Sequence, residues 1–133
     1  MNSTAVRLLL LAAFGALVSC RPTLPRMPMN EFERLLADGR IMVIDVRTPQ
    51  EYAAGHIPGA WSVPLDDLDS RVAELKALKR PIVTYCSCLQ EEESLMAVAT
   101  LDRLGIRGAR ALAGGYNSWA TVGRRVVAGP SPL

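Results

Sequence analysis

From about residue 30 onward the chain alternates two apolar patterns: short runs in which nearly every position is apolar, and longer stretches in which apolar residues return every third or fourth place among charged ones. Phe32, Leu35 and Leu36 share one face of a first helix, with Asn30 and Glu33 spaced as a capping pair and Gly39 where the helix should stop. The β-branched run Ile41–Val46 predicts a buried strand. Thr48-Pro49-Gln50-Glu51 supplies a capping hydroxyl, a proline suited to the first helical position and a glutamate at the third, so a short helical turn is expected, closed at Gly55. Ala60–Val63 reads as a brief strand cut off by Pro64. Leu65, Leu68, Val72 and Leu75 then recur at helical spacing toward Leu78, with Asp66 or Asp67 as cap. Pro81–Tyr85 reads as the central strand, and Leu95, Val98 and Leu101 mark the helix after it, which Gly105 ends. Ala109–Leu112 predicts a last short strand, and Gly114-Gly115 opens a final helical turn through Trp119. Strand–helix units this short imply an α/β fold: a small parallel sheet of about five strands, right-handed crossovers and helices on both faces. In such sheets ligands collect at the carboxyl ends of the strands.

The first thirty residues follow a different pattern. Arg7 precedes an apolar run from Leu8 to Val18 and then Ser19 and Cys20, the basic, apolar and small-residue order of an export signal. The run is too short for a hydrocarbon core that needs about 20 residues. Leu17-Val18-Ser19-Cys20 resembles the lipobox of bacterial lipoproteins, which implies cleavage before Cys20 and acylation of its thiol. Several acyl chains on one cysteine would hold the protein firmly where a single chain binds only marginally. The expected organisation is therefore a signal peptide over 1–19, a proline-rich tether over 20–29, one domain over 30–128 and a tail over 129–133. The expected place is the bacterial cell envelope, anchored by lipid and facing the periplasm. The lipobox resemblance further implies that Arg21 after the cysteine does not suggest retention at an inner membrane, so for a Gram-negative cell the outer membrane is the expected place.

The length of 133 residues, half of them hydrophobic, suits a single core. The formal charge of +2 includes Arg7, and charges elsewhere are interleaved without a basic block, so nucleic acid is not an expected partner. If Cys20 carries lipid, Cys86 and Cys88 remain as thiols in an oxidising compartment, where a partner must keep them reduced or they must be protected as a persulfide or disulfide.

Those two cysteines mark the candidate chemistry. Cys86 directly follows the central strand, and Ser87, Cys88, Leu89, Gln90, Glu91, Glu92, Glu93 and Ser94 form the loop and the entry to the next helix. A sulfur there meets the unpaired N–H groups of a helix start, which favour thiolate, so Cys86 is expected to face solvent from a cup of main-chain amides. The three glutamates fall in the helix's first turn, where negative charge is favoured by tenths of a kcal/mol. A carboxylate about 7 Å from a thiolate costs about 0.6 kcal/mol in water and about 2.4 kcal/mol at an effective dielectric of about 20. Cys86-Ser87-Cys88 lacks two further ligands for zinc, and no metal or cofactor is expected.

Ile44-Asp45-Val46-Arg47 with Glu51-Tyr52 and Gly55-His56-Ile57-Pro58-Gly59-Ala60, then Tyr85-Cys86, then Leu112-Ala113-Gly114-Gly115-Tyr116 with Trp119, together resemble a single rhodanese domain over nearly all of 30–128. The resemblance implies sulfurtransferase activity: the cysteine after the central strand attacks a sulfane sulfur, holds it as a persulfide and passes it to a thiol or cyanide-like acceptor. Cys86 is the first choice as sulfur carrier. Cys88 is the second, since it precedes Ser94 by the loop length common in that family, and it could also serve as a resolving thiol. The family loop offers arginine to an anionic donor where this one offers glutamates, which argues against thiosulfate and leaves room for a protein partner at the acidic loop. Phosphatases of related fold need an arginine six residues after the nucleophile, where Glu92 follows Cys86 and Ser94 follows Cys88. Asp45 and Arg47 are read as a charge-assisted pair, Glu51 as a cap, His56 as a turn-bonding residue, Gly114 and Gly115 as the start of the last helix, and Trp119 as packing. Two rival classes are a Cys-x-Cys redox protein and a noncatalytic binding module on the same fold.

Overall fold

The computed structural model describes residues 24–131. The expected signal peptide over 1–19, Cys20, the first residues of the expected tether and the last two residues of the tail lie outside the described residues. In chain order the elements are β1 (Arg26–Met27), α1 (Met29–Ala37), β2 (Met42–Asp45), α2 (Pro49–Ala54) and β3 (Trp61–Ser62). A 3-10 turn (Leu65–Asp67) then leads into α3 (Leu68–Ala77), followed by β4 (Ile82–Tyr85), α4 (Glu92–Arg103), β5 (Arg110–Leu112) and α5 (Gly115–Thr121). All five strands pair in parallel, in the order β1-β5-β4-β2-β3, the α/β sheet that the alternating pattern predicted. Asp45 lies opposite Tyr85, so β2 and β4 end at the same level and release Val46 and Cys86 at one edge.

The pleat sends alternate residues to opposite layers. Met42, Ile44, Ile82 and Ala111 pack with Leu68, Leu75, Val98 and Leu101 of α3 and α4. Val43, Val83, Tyr85 and Leu112 pack on the other side with Phe32, Tyr52 and Trp119 of α1, α2 and α5. Both faces are covered, which is why β2 and β4 read as continuous apolar runs rather than alternating ones. Thr48 and Glu51 close the capping box of α2: the Thr48 hydroxyl accepts from the Glu51 N–H at 3.2 Å, and the Glu51 carboxylate accepts from the Thr48 N–H at 3.1 Å. Among the described residues no helix is long and apolar enough to cross a membrane.

The domain takes in more chain at both ends than the 30–128 reading. Arg26 and Met27, assigned to the tether, form an edge strand: the Ala111 N–H donates to the Pro25 carbonyl at 2.7 Å and the Ala113 N–H to the Met27 carbonyl at 2.9 Å. Extended, proline-rich backbone reads equally well as a linker or as a sheet edge, where proline is tolerated. Consequently α1 starts two residues early with Pro28 as its cap, and Asn30 caps nothing. Glu33 pairs with Arg124 instead. At the other end, the Gly129 N–H donates to Ala53 at 3.0 Å and the Ser62 N–H to the Ser131 hydroxyl at 3.2 Å, so residues 129–131 are bonded back onto the domain. Neither Asp66 nor Asp67 caps α3 with its side chain; the 3-10 turn delivers the chain into that helix.

Candidate active site

Two loops meet at the carboxyl edge of β2 and β4. The first is closed on itself. Asp45, fully buried, accepts from Arg47 through both carboxylate oxygens, with Nη2 to Oδ2 at 2.6 Å and Nε to Oδ1 at 3.0 Å, and it also accepts from the Arg47 backbone N–H at 3.0 Å. Arg47 Nη2 donates further to the Gly55 carbonyl at 2.7 Å, and the guanidinium lies 3.9 Å from the centroid of the Tyr116 ring. Burial works against its charge, but the bonds to Asp45 outweigh this and hold Arg47 above its ordinary value. A buried guanidinium so occupied frames the site and is not free to grip an anionic substrate.

The second loop carries the thiols. Cys86 is the first residue past β4, and its side chain points to the α3 and α4 side among Ile82, Ala97 and Val98. It has no exposed surface, contrary to the expectation of a solvent-facing sulfur. One main-chain amide reaches it, the Cys88 N–H at 3.4 Å from Cys86 Sγ. The sulfur therefore sits at the floor of the loop rather than at its rim. Cys88 is partly exposed, and its thiol is pushed up to about 12 by burial first and by the bonded Cys86 sulfur second. At neutral pH Cys88 therefore keeps its proton. Cys86, Cys88 and the exposed Glu93 have donor atoms within 4.8 Å of one another. That set is one donor short of a closed tetrahedral metal site.

The glutamates divide into unlike roles. The helix begins at Glu92, so Glu92 and Glu93 occupy its first turn and are exposed. Glu91 is not in that turn: it precedes it in the left-handed conformation, φ +55°, and is buried. Its Oε2 accepts from Arg26 Nε at 2.7 Å and its Oε1 from the Gly114 N–H at 2.8 Å. Ser94 anchors the same junction, its hydroxyl donating to the Glu91 carbonyl at 3.0 Å while its own carbonyl accepts from Thr84 Oγ1 at 2.9 Å. Leu89 and Gln90 form the exposed tip.

The start of α5 closes the site from the side. Gly115 approaches the Cys86 carbonyl so closely that a Cβ there would lie 2.4 Å from the oxygen, and at φ +52° only glycine fits without strain. The next N–H, of Tyr116, donates to that carbonyl at 2.9 Å. Asn117 Nδ2 donates to the Ser87 carbonyl at 2.8 Å, and Arg47 Nη1 reaches the Ser87 hydroxyl at 3.4 Å. Arg26, Tyr116 and Asn117 were not among the sequence-derived site residues. Their partners lie 30 to 65 positions away, or are reached by stacking, and no local motif announces such pairings.

The other marked residues stand apart from the sulfurs. His56 stacks on Tyr52 with ring centroids 3.7 Å apart, and its Nδ1 lies 2.8 Å from the Tyr52 carbonyl. A carbonyl only accepts, so Nδ1 carries the proton. Trp119 donates from Nε1 to the Arg125 carbonyl at 2.8 Å and meets Phe32 edge to face. A cleft of about 370 Å³ beside the thiol loop is lined by Arg47, Thr48, Pro64, Leu65, Asp66 and Glu93.

The family described as Rhodanese-like domain matches the chain over residues 28–121. Over 108 residues the chain is 35% identical to the thiosulfate:glutathione sulfurtransferase of Homo sapiens, covering 71% of this chain and 92% of that one. A sulfurtransferase of Allochromatium vinosum is 33% identical over 96 residues, covering 72% and 87% of the two chains. Among solved structures, a human single-domain sulfurtransferase superposes with a TM-score of 0.64 at 34% identity, covering 74% of this chain and 97% of that one.

Proposed function

The chain belongs to the rhodanese-like sulfurtransferase family, and we propose on that premise that it moves sulfane sulfur as a persulfide on Cys86. The observation that carries the reading is the placement of Cys86 Sγ at the carboxyl end of the central strand, under the Cys88 amide and ahead of the α4 N-terminus. The Cys86 thiolate attacks the outer sulfur of a donor; the donor's S–S bond breaks, its inner group leaves with the bonding pair, and a Cys86–S–S⁻ persulfide forms. An acceptor thiolate then takes the outer sulfur and returns Cys86 as thiolate. Because Cys86 has no exposed surface, the segment from Ser87 to Gln90 must shift for a donor to reach it, and Cys88 is the first sulfur that donor meets.

Charge narrows the donor class. Arg26 neutralises Glu91, whereas Glu93 keeps a carboxylate within 4.8 Å of both sulfurs and Arg47 is committed to Asp45. Donors that carry less negative charge than the thiosulfate dianion, such as the singly charged persulfide of a protein or small thiol, fit this environment better. The same reading sets the domain on a lipid-anchored tether in the periplasm, with Cys20 as the modified residue. Mass analysis after exposure to a polysulfide tests the assignment: Cys88→Ser should retain one extra sulfur and Cys86→Ser none, and the reverse pattern overturns the choice of Cys86.

A second reading rests on the nearness of the two sulfurs. A Cys86–Cys88 disulfide closes a very small ring and is strained, hence easily reduced. In a dithiol redox protein the pair would cycle between dithiol and disulfide and bind no extra sulfur. A measured reduction potential with no trapped persulfide would select that alternative.

A further inference from the structure

Glu91 is the residue of the thiol loop with the least freedom and the most distant partners. It adopts a conformation that side-chain-bearing residues avoid, φ +55° and ψ +29°, so something must hold it there. Its carboxylate does not cap its own helix. It is buried, and each oxygen is engaged by a different element: Arg26 of β1 at 2.7 Å and the Gly114 amide at the start of α5 at 2.8 Å. Arg26 adds a bond from Nη2 to the Gln90 carbonyl at 3.3 Å. Glu91 also ties back toward the thiols, its N–H facing the Cys88 carbonyl at 3.4 Å. Gly114 belongs to the Gly-Gly turn that presses on the Cys86 carbonyl. One carboxylate thus joins the edge strand, the thiol loop and α5, and Arg26 lies outside the stretch, 28–121, that matches the family.

We propose that Glu91, clamped between Arg26 and the Gly114 amide, is a positioning residue that keeps the thiol loop closed over Cys86, making the edge strand β1 part of the sulfur-transfer apparatus. It touches no reacting atom and acts through the loop backbone. Releasing the clamp lets the Ser87–Gln90 segment open, which uncovers Cys86 and removes the Cys88 amide from its sulfur. The inference rests on the sulfurtransferase reading for its chemical consequence, but loop closure has a readout of its own.

The test measures iodoacetamide labelling of Cys86 by peptide mass analysis, persulfide lifetime after polysulfide treatment, and thermal unfolding, all in the full chain. The variants are Glu91→Gly, which removes the carboxylate without leaving a strained side chain, Arg26→Ala, and Arg26→Lys as the conservative replacement. Glu31→Ala is the control, since it breaks a comparable part-buried pair with Arg110 on β5 that does not touch the loop. Glu91→Gly and Arg26→Ala should label at least about tenfold faster, the equivalent of one lost charge-assisted hydrogen bond, and shorten persulfide lifetime by a similar factor. Arg26→Lys should return labelling toward wild type. Labelling of Glu91→Gly and Arg26→Ala within about twofold of wild type, or equal acceleration in Glu31→Ala, overturns the clamp. If labelling responds as expected while no protein, wild type included, takes up sulfur, the clamp stands and the sulfurtransferase reading fails.

Discussion

The loops after β2 and β4 leave the sheet side by side and are built on opposite principles. The β2 loop is held from within: Asp45, Arg47, Thr48, Glu51 and Gly55 bond one another across at most ten positions, and Tyr116 only covers the result. The β4 loop is held mainly from outside, by Arg26 and Gly114 on Glu91 and by Asn117 on Ser87. A loop saturated by its own side chains is a rigid wall. A loop tied at a few points to other elements can be released at any of them, and that is the arrangement a buried thiol needs if a substrate is to reach it.

The contrast breaks most severely at Asp45. Asp45→Ala strands the buried Arg47 guanidinium and should cost about 3–5 kcal/mol, read as a fall in denaturant midpoint at unchanged slope. Gly115→Ala attacks the point where α5 meets the thiol loop. Combining left-handed strain with a Cβ set against the Cys86 carbonyl, it should cost about 2–4 kcal/mol and change Cys86 labelling as well as stability.

Alkaline pH probes the thiol loop alone at first. Cys88 titrates near 12 when folded, against about 8.5 in an open chain, so the folded state keeps that proton longer. The stabilisation is intact below about pH 8.5 and is lost as pH rises toward the folded value, because there the unfolded chain has already released its proton. Tyr85, pushed up by burial and then by Asp45, acts in the same direction above about pH 10. Unfolding measured from about pH 8 upward should show stability falling in the wild type, and Cys88→Ser should delay the onset to the tyrosine range. A kinetic effect comes next: Glu93→Gln should raise the reaction rate with thiosulfate about two- to fivefold by removing the charge beside the sulfurs. The smallest effect is expected at exposed Glu92, where Glu92→Gln should stay within about 0.5 kcal/mol of wild type in stability and leave the thiosulfate rate unchanged.

The element order and the wall of the site were legible because their causes are short-range. The Thr48–Glu51 box spans three positions and the Asp45–Arg47 bidentate pair two. The continuous apolar runs of β2 and β4 already implied a sheet buried on both faces. Placing a cysteine at the end of the central strand needed only the boundary between the apolar run and the polar loop.

Three features were decided by the tertiary structure. Arg26 and Met27 joined the sheet because β5 offered an unpaired edge, which nothing in a proline-rich stretch reveals. Glu91 left the helix's first turn because Arg26 and Gly114, 65 and 23 positions away, bind its carboxylate more strongly than a helix end attracts it. The Cys86 sulfur turned inward because the pleat carries it to the same layer as Ile82 and the neighbouring loop folds over it. Local hydrogen bonds and periodicity are written in adjacent residues and can be read from them. The shape of a loop held by distant partners exists only once the chain has brought those partners together.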